Sequence, residues 1–265
     1  MSVKVLLIDT FNLIRRIYEA GQARNESIET VVEASRRSLE KALRQHQPSH
    51  AISVVDSHET TWRHSCYPGY KAGRAPTPER LMTHLNDFKS AFASLGVASL
   101  EQPHLEADDV IGTLAQGIAG SGGQVVILST DKGFLPLLSQ QIQVYHHFEQ
   151  CFVSPADAQA KFDLRIDQLA DFWALAGDPT NSIKGVPRVG KKTAVALLQT
   201  YGSLAAILAA EVNDPIVARV QADADQARIC RQLTSLKTDL ALGVNLKSYR
   251  LSALLAQAGS AQSAD

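Results

Sequence analysis

Val5-Leu-Leu-Ile-Asp9 closes an apolar run that opens at Val3 and ends in a carboxylate. Two more runs of the same kind follow, Ala51-Ile-Ser-Val-Val-Asp56 and, after Gln124, Val125-Val-Ile-Leu-Ser-Thr-Asp131. Short runs rich in Val and Ile read as buried strands, here Val3–Ile8, Ala51–Val55 and Gln124–Leu128. Helical spacing lies between them. Ile28, Val31, Val32, Leu39, Ala42 and Leu43 share one face, as do Leu81, Leu85, Phe88, Phe92 and Leu95. Strands alternating with helices predict an α/β domain with a mainly parallel sheet. This pattern runs over residues 1–165. Beyond it the strand signal stops, and 167–176, 190–199, 203–210 and 225–236 read as helices. A helical lobe is therefore expected over 166–250. A tail covers 251–265, with its Ala/Ser/Gln-rich end frayed from about Gln257.

The chain has 265 residues, 45% hydrophobic and 20% charged, with a formal net charge of -1. No global field attracts nucleic acid, so any such binding must come from local patches. The three cysteines, Cys66, Cys151 and Cys230, have no zinc spacing and read as reduced thiols of a cytoplasmic protein. His146-His147 reads as a strand end. The first run is too short, and Asp9 too close, for a signal peptide, and no stretch reaches membrane-spanning length.

In open parallel sheets, ligands gather beyond the carboxyl ends of the strands. Asp9, Asp56 and Asp131 fall there. A fourth acidic feature is Leu105-Glu-Ala-Asp-Asp-Val-Ile-Gly-Thr-Leu-Ala115, where Glu106, Asp108 and Asp109 crowd the start of a helix that Val110, Ile111 and Leu114 anchor in the core. One acid there is ordinary capping. Three repel one another, and with the strand-end acids they need a counter-charge. Oxygen ligands select Mg²⁺ or Mn²⁺.

Two segments are basic. Ile183-Lys-Gly-Val-Pro-Arg-Val-Gly-Lys-Lys-Thr193 places Lys184, Arg188, Lys191 and Lys192 among Gly185, Pro187 and Gly190, before a helix. A turn of this kind exposes N–H groups at a helix start, where a phosphate can sit, and its glycines admit a nucleic-acid backbone. The predicted DNA contacts are Lys184, Arg188, Val189, Gly190, Lys191, Lys192 and Thr193. No base-reading element is evident, so binding is expected to ignore sequence. The second segment, residues 62–74 of a longer basic arch over about 62–80, interleaves Trp62, Tyr67 and Tyr70 with Arg63, Lys71 and Arg74. Such an element suits gripping a strand, with rings on bases and cations on phosphates.

The stretches VVDSHETTWRHSCYPGYKAGRAPTPERL, EADDVIGTLA, LSTDKG and GDPTNSIKGVPRVGKKTAVALL together resemble the 5′-nuclease (flap endonuclease) family. The likeness spans roughly residues 3–240, in family order. With no polymerase attached, the chain is most similar to the short stand-alone bacterial members of exonuclease IX type. The resemblance implies an α/β nuclease core, a helical lobe with a helix–hairpin–helix type motif over 183–200, and hydrolysis of DNA at the base of a 5′ flap. It implies a first Mg²⁺ cluster at Asp9, Asp56, Glu106, Asp108 and Asp109, with Asp108 as a direct ligand. Lys71 and Arg74 match the basic residues over the scissile phosphate, and Arg16 a further arginine near the substrate. In the second cluster Asp131 and Asp178 are kept, but Gly133 and Asn181 stand where acids are expected, so that site should be depleted. The hairpin also implies K⁺ on the backbone carbonyls of Leu175, Ala176, Lys184, Val186 and Val189. The expected partner is branched DNA, and the chain is expected to act as a monomer. The rival reading is a weakly active or non-catalytic binder of branched DNA with the same fold. A small RNase of similar architecture would explain the acids but not the basic hairpin.

Overall fold

The computed structural model describes residues 3–252. Its sheet runs in the order β3-β2-β1-β4-β5-β6. The strands are β1 (Lys4–Asp9), β2 (His50–Val55), β3 (Ala98–Glu101), β4 (Gln124–Leu128), β5 (Ile142–His146) and β6 (Cys151–Phe152). All pair in parallel except β5 with β6. Helices α1 (Thr10–Ala23) and α2 (Ile28–His46) link β1 to β2. The basic arch and α3 (Trp62–Cys66), α4 (Glu79–Thr83) and α5 (Leu85–Ala93) link β2 to β3, and α6 (Ala107–Gly120) links β3 to β4.

Successive strand residues point to opposite faces. Leu6, Ile8, Ala51, Val55, Val126 and Leu128 pack with residues of α1, α2 and α5 on one face. Val5, Leu7, Ile52, Val54, Val125 and Ile127 pack against Val110, Ile111 and Ala115 of α6 on the other. Burial on both sides is why these strands read as continuous apolar runs rather than alternating ones. Each fully buried Val, Leu or Ile contributes about 1.5–3 kcal/mol.

The chain winds outward from β1 through β2 to β3, then crosses back to place β4 on the other flank of β1. Strand order reverses at β1, which opens a crevice beyond the carboxyl ends of β1 and β4. Asp9 and Asp131 lie on either side of it.

After β6 the chain is helical: α7 (Pro155–Phe162), α8 (Leu169–Ala176), α9 (Lys191–Tyr201), α10 (Leu204–Ala209), α11 (Pro215–Ala222) and α12 (Ala224–Thr234). The lobe core joins Phe172, Leu175, Ile183, Val186, Val189, Leu197, Leu198 and Leu233, and Tyr70 of the arch belongs to it. The turn between α8 and α9 is drawn tight by an antiparallel bridge between Asp178 and Ile183. Gly177 (φ 84°) and Gly185 (φ 69°) take left-handed conformations. A Cβ on Gly185 would stand 2.4 Å from Gly177 N and 2.6 Å from Leu175 O, so no side chain fits.

Residues 237–252 return to the α/β core. Leu251 N donates to Ser49 O at 3.0 Å, so the segment expected as a tail from 251 begins as part of the core. The frayed end expected from Gln257 lies outside the described residues. Among the described residues, no helix is long and apolar enough to cross a membrane.

Candidate metal and nucleic-acid site

Asp9 ends β1 and caps α1, accepting from Asn12 N at 3.2 Å and from Ser129 Oγ at 2.8 Å. Asp56 follows β2 and accepts from Ala107 N at 2.8 Å, at the start of α6. Asp131 follows β4 and accepts from Gly133 N at 2.7 Å. Asp108 lies in the first turn of α6. These four, with Glu106, line one cleft of about 650 Å³, and Lys71, Arg74 and Arg16 line it with them.

The cleft is electrostatically unfavourable by itself. Burial, then the charges of Asp56 and Asp131, push the Asp9 carboxyl up to about 7 against a donor bond from Ser129. Burial raises Asp56, with Glu106 adding to it and the Ala107 N–H opposing it. Asp108 is raised well above the usual range by burial and by Asp131, Asp9 and Asp56. Protons here do what a cation would do. The donor set is all carboxylate oxygen, which fits a hard divalent ion. Among the described residues no three acidic, His or Cys side chains converge tightly enough to enclose a bare ion.

Asp109 does not belong to this set. It is 0% exposed. Its Oδ1 accepts from Arg63 Nη2 (2.8 Å) and Lys237 N (3.0 Å), and its Oδ2 from Trp62 Nε1 and Arg63 Nη1 (both 2.8 Å). A carboxylate with four donors has no oxygen free for a metal, so the expected ligand is instead an anchor for the arch. The arch reading is corrected with it. Arg63 is buried against Glu106 and Asp109 and cannot reach a phosphate. Tyr70 is buried with its hydroxyl on Glu106 Oε2 at 3.0 Å, so its ring is not free to grip a strand, and the half-buried Trp62 is tied to Asp109 through its Nε1. Lys71 does face the cleft, its Nζ 3.2 Å from Glu106 Oε1.

Asp131, Gly133, Asp178 and Asn181 meet, with Asp108, around a small recess of about 60 Å³. The Asn181 amide donates to Asp178 Oδ2 at 2.6 Å, and Thr180 N donates to Oδ1 at 3.1 Å. A donor thus occupies the place where a second acid would have supplied charge.

Lys184, Arg188, Gly190, Lys191 and Lys192 are exposed, Thr193 is partly so, and the Val189 side chain is buried, leaving only its backbone to offer. Gly190 caps the start of α9. Lys191 and Lys192 line a groove of about 960 Å³ with Lys132 and Lys161, and the groove runs past Asp131 and Asp178. Lys132 lies in the LSTDKG stretch without having been singled out, and no motif marks Lys161; the fold brings both there. Among the carbonyls of the hairpin, Leu175 O accepts from Val186 N at 2.9 Å and Val186 O from Val189 N at 3.1 Å. Arg16 is exposed at the cleft edge, its guanidinium 5.2 Å from the centre of the Phe148 ring.

Known proteins resemble this chain in sequence and in fold. Residues 4–163 match the 5′-3′ exonuclease N-terminal resolvase-like domain, and residues 164–257 match the 5′-3′ exonuclease C-terminal SAM fold. A flap endonuclease Xni of Psychromonas ingrahamii is 42% identical over 256 residues, covering 94% of this chain and 98% of that one. One from Colwellia psychrerythraea is 42% identical, covering 95% and 93%. In fold, the chain is similar to the bacteriophage T5 flap endonuclease in a pseudo-enzyme-product complex with DNA and metal ions (TM-score 0.73, 17% identity, 89% and 90% covered). It is also similar to the catalytic core of Rad2 in complex with DNA substrate (TM-score 0.58, 11% identity, 92% and 81% covered). Family models covering both halves and relatives at this identity place the chain in the 5′-3′ exonuclease family.

Proposed function

We propose that the protein is a Mg²⁺-dependent, structure-specific 5′ flap endonuclease. The observation that carries this reading is the cleft at the switch point, where carboxylates that repel one another lie beside Lys71 and Arg74. Asp9, Asp56, Asp108 and Asp131 would hold the ion, with Mn²⁺ a substitute, and Glu106 would orient Lys71. A divalent ion held there would supply an activated water and counter-charge for the phosphoryl group. Lys71 and Arg74 bind the scissile phosphate, and Arg16 holds the adjoining strand at the cleft edge.

The duplex lies on the helical lobe. The N–H groups at the start of α9, with Lys184, Arg188, Lys191, Lys192 and Thr193, hold phosphates without reading bases. K⁺ on the carbonyls of Leu175, Ala176, Lys184, Val186 and Val189 would add a fixed positive charge. The close packing of Gly185 on Gly177 supports that geometry, and a carbonyl that accepts one hydrogen bond keeps a second lone pair.

A second reading, a branched-DNA binder with little or no catalysis, has one observation in its favour: Asn181 satisfies Asp178 without any metal. A panel of end-labelled 5′-flap, 3′-flap and plain duplex DNA with Mg²⁺ separates the two. Cleavage at the junction of the 5′ flap alone is expected. Binding of the flap without cleavage in Mg²⁺ or Mn²⁺ would favour the second reading.

A further inference from the structure

Arg63 is 2% exposed and spends every N–H of its guanidinium. Nε donates to Leu233 O at 3.0 Å. Nη1 donates to Glu106 Oε2 (3.0 Å) and Asp109 Oδ2 (2.8 Å), and Nη2 to Asp109 Oδ1 (2.8 Å) and Ser235 O (3.1 Å). Trp62 stacks at 4.5 Å from it. Three parts of the chain meet on this one side chain: the arch base at α3, the start of α6 beneath the cleft, and the end of α12.

Glu106 links that knot to the cleft. Arg63 and Tyr70 occupy its Oε2. Its Oε1 is thereby turned toward Lys71 Nζ, 3.2 Å away. The Lys71 backbone is itself in the left-handed region (φ 56°) and donates its N–H to Asn181 O at 2.9 Å. A non-glycine residue stays in that conformation only where its surroundings over-determine it.

We propose that Arg63 is a positioning residue of the cleavage site: by fixing Glu106 and the arch base to α6, it sets the place of the Lys71 ammonium over the cleft. The inference rests on the catalytic reading of the cleft. A lysine at 63 would keep the charge but not the planar fork, and could not serve both carboxylates and both carbonyls together.

The test uses Arg63→Lys, Lys71→Ala and the double variant in single-turnover cleavage of a labelled 5′ flap with Mg²⁺, beside binding of the same DNA in EDTA. Thermal unfolding confirms that each variant folds. Arg63→Lys is expected to slow cleavage about 10- to 100-fold while flap affinity stays within about threefold. The double variant should be no slower than Lys71→Ala, because residues acting through one group do not add. Asp109→Asn loosens the same fork from its other side and is expected to slow the same step, which keeps the test available if Arg63→Lys fails to fold. Arg63→Lys at the wild-type rate, or losses that multiply in the double variant, would overturn the inference. Wild-type protein in the same assay separates the claims. Wild-type cleavage with an unaffected Arg63→Lys sinks the positioning role alone, whereas no wild-type cleavage sinks the catalytic reading and the inference with it.

Discussion

Asp108 and Asp109 are one peptide apart, and the turn of about 100° between successive helical residues sends them to different surroundings. Asp108 meets the cleft carboxylates; Asp109 meets Arg63, Trp62 and the Lys237 N–H. The crowding of acids at 106–109 was readable as a site because three like charges at one helix start need an explanation. Which acid faces the cleft was not readable, since it depends on helix phase and on an arginine far away in sequence. Asp109→Ala would leave the buried Arg63 partly unpaired, so it should lower unfolding free energy by about 3–5 kcal/mol in urea titration. The Mg²⁺ concentration for half-maximal cleavage should not move; a large rise would return Asp109 to the metal set. Asp9 gives a prediction of opposite kind. Its folded value, about 7, lies above the ordinary 3.8. Its contribution to stability is therefore complete below the ordinary value and lost as pH rises through 7. Mg²⁺ replaces the missing proton, so the rise in Tm on adding Mg²⁺ should be larger at pH 8 than at pH 5.5. Equal shifts at both would contradict the electrostatic account.

At the scale of elements, the apolar runs of β1, β2 and β4 were plain because both faces of each are buried. The others were hidden for physical reasons. In β3, only Leu100 is buried, and β6 is two exposed residues long. β5 breaks its apolar run by carrying Gln143 to the surface. α11 begins at a proline in a polar loop, so its register has no strong stripe to announce it. The hairpin was legible through its glycines, of which Gly185 takes a left-handed conformation that its φ of 69° requires. If its cations hold phosphates, Lys191→Ala with Lys192→Ala should weaken flap binding and reduce the slope of log affinity against log salt by about 2, near 0.9 for each phosphate no longer neutralised. An unchanged slope would move the duplex off α9. The recess between this turn and β4 makes a second prediction. Gly133→Asp with Asn181→Asp should raise cleavage at limiting Mg²⁺ by about tenfold, equivalent to about 1.4 kcal/mol of barrier. A Cβ at Gly133 stands 3.2 Å from Asp131 Oδ1, so the loop must give slightly to accept it. No gain at saturating DNA would show that the lost acids do not limit the rate.

Across the whole molecule, the alternation of strands and helices fixed the layers, and the reversal of strand order at β1 fixed where the acids converge. What lay beyond sequence was the meeting of distant parts: the arch with α6 and α12, and α2 with the β5–β6 edge. The last of these buries two histidines. His46 packs edge-on against Tyr145 and Phe152, and His147 pairs with Ser38 Oγ. Burial first, with Lys4 near His46 and Lys41 near His147, pushes both down to about 4. Values depressed in the folded state contribute stability above the ordinary 6.5 that is lost as pH falls toward 4. His46→Leu should therefore lose less Tm than the wild type between pH 7 and pH 4.5; an equal loss would place acid sensitivity elsewhere. The central claim is that the carboxylate cleft cleaves flaps with a divalent ion, and Asp108 tests it most directly. End-labelled 5′-flap duplex should be followed across a Mg²⁺ series with K⁺ present, for the wild type and for Asp108→Ala. The account predicts cleavage at the flap junction that rises with Mg²⁺ and is abolished in Asp108→Ala while DNA binding persists. Junction cleavage that survives Asp108→Ala, or tight binding without cleavage at any Mg²⁺ level, would contradict it.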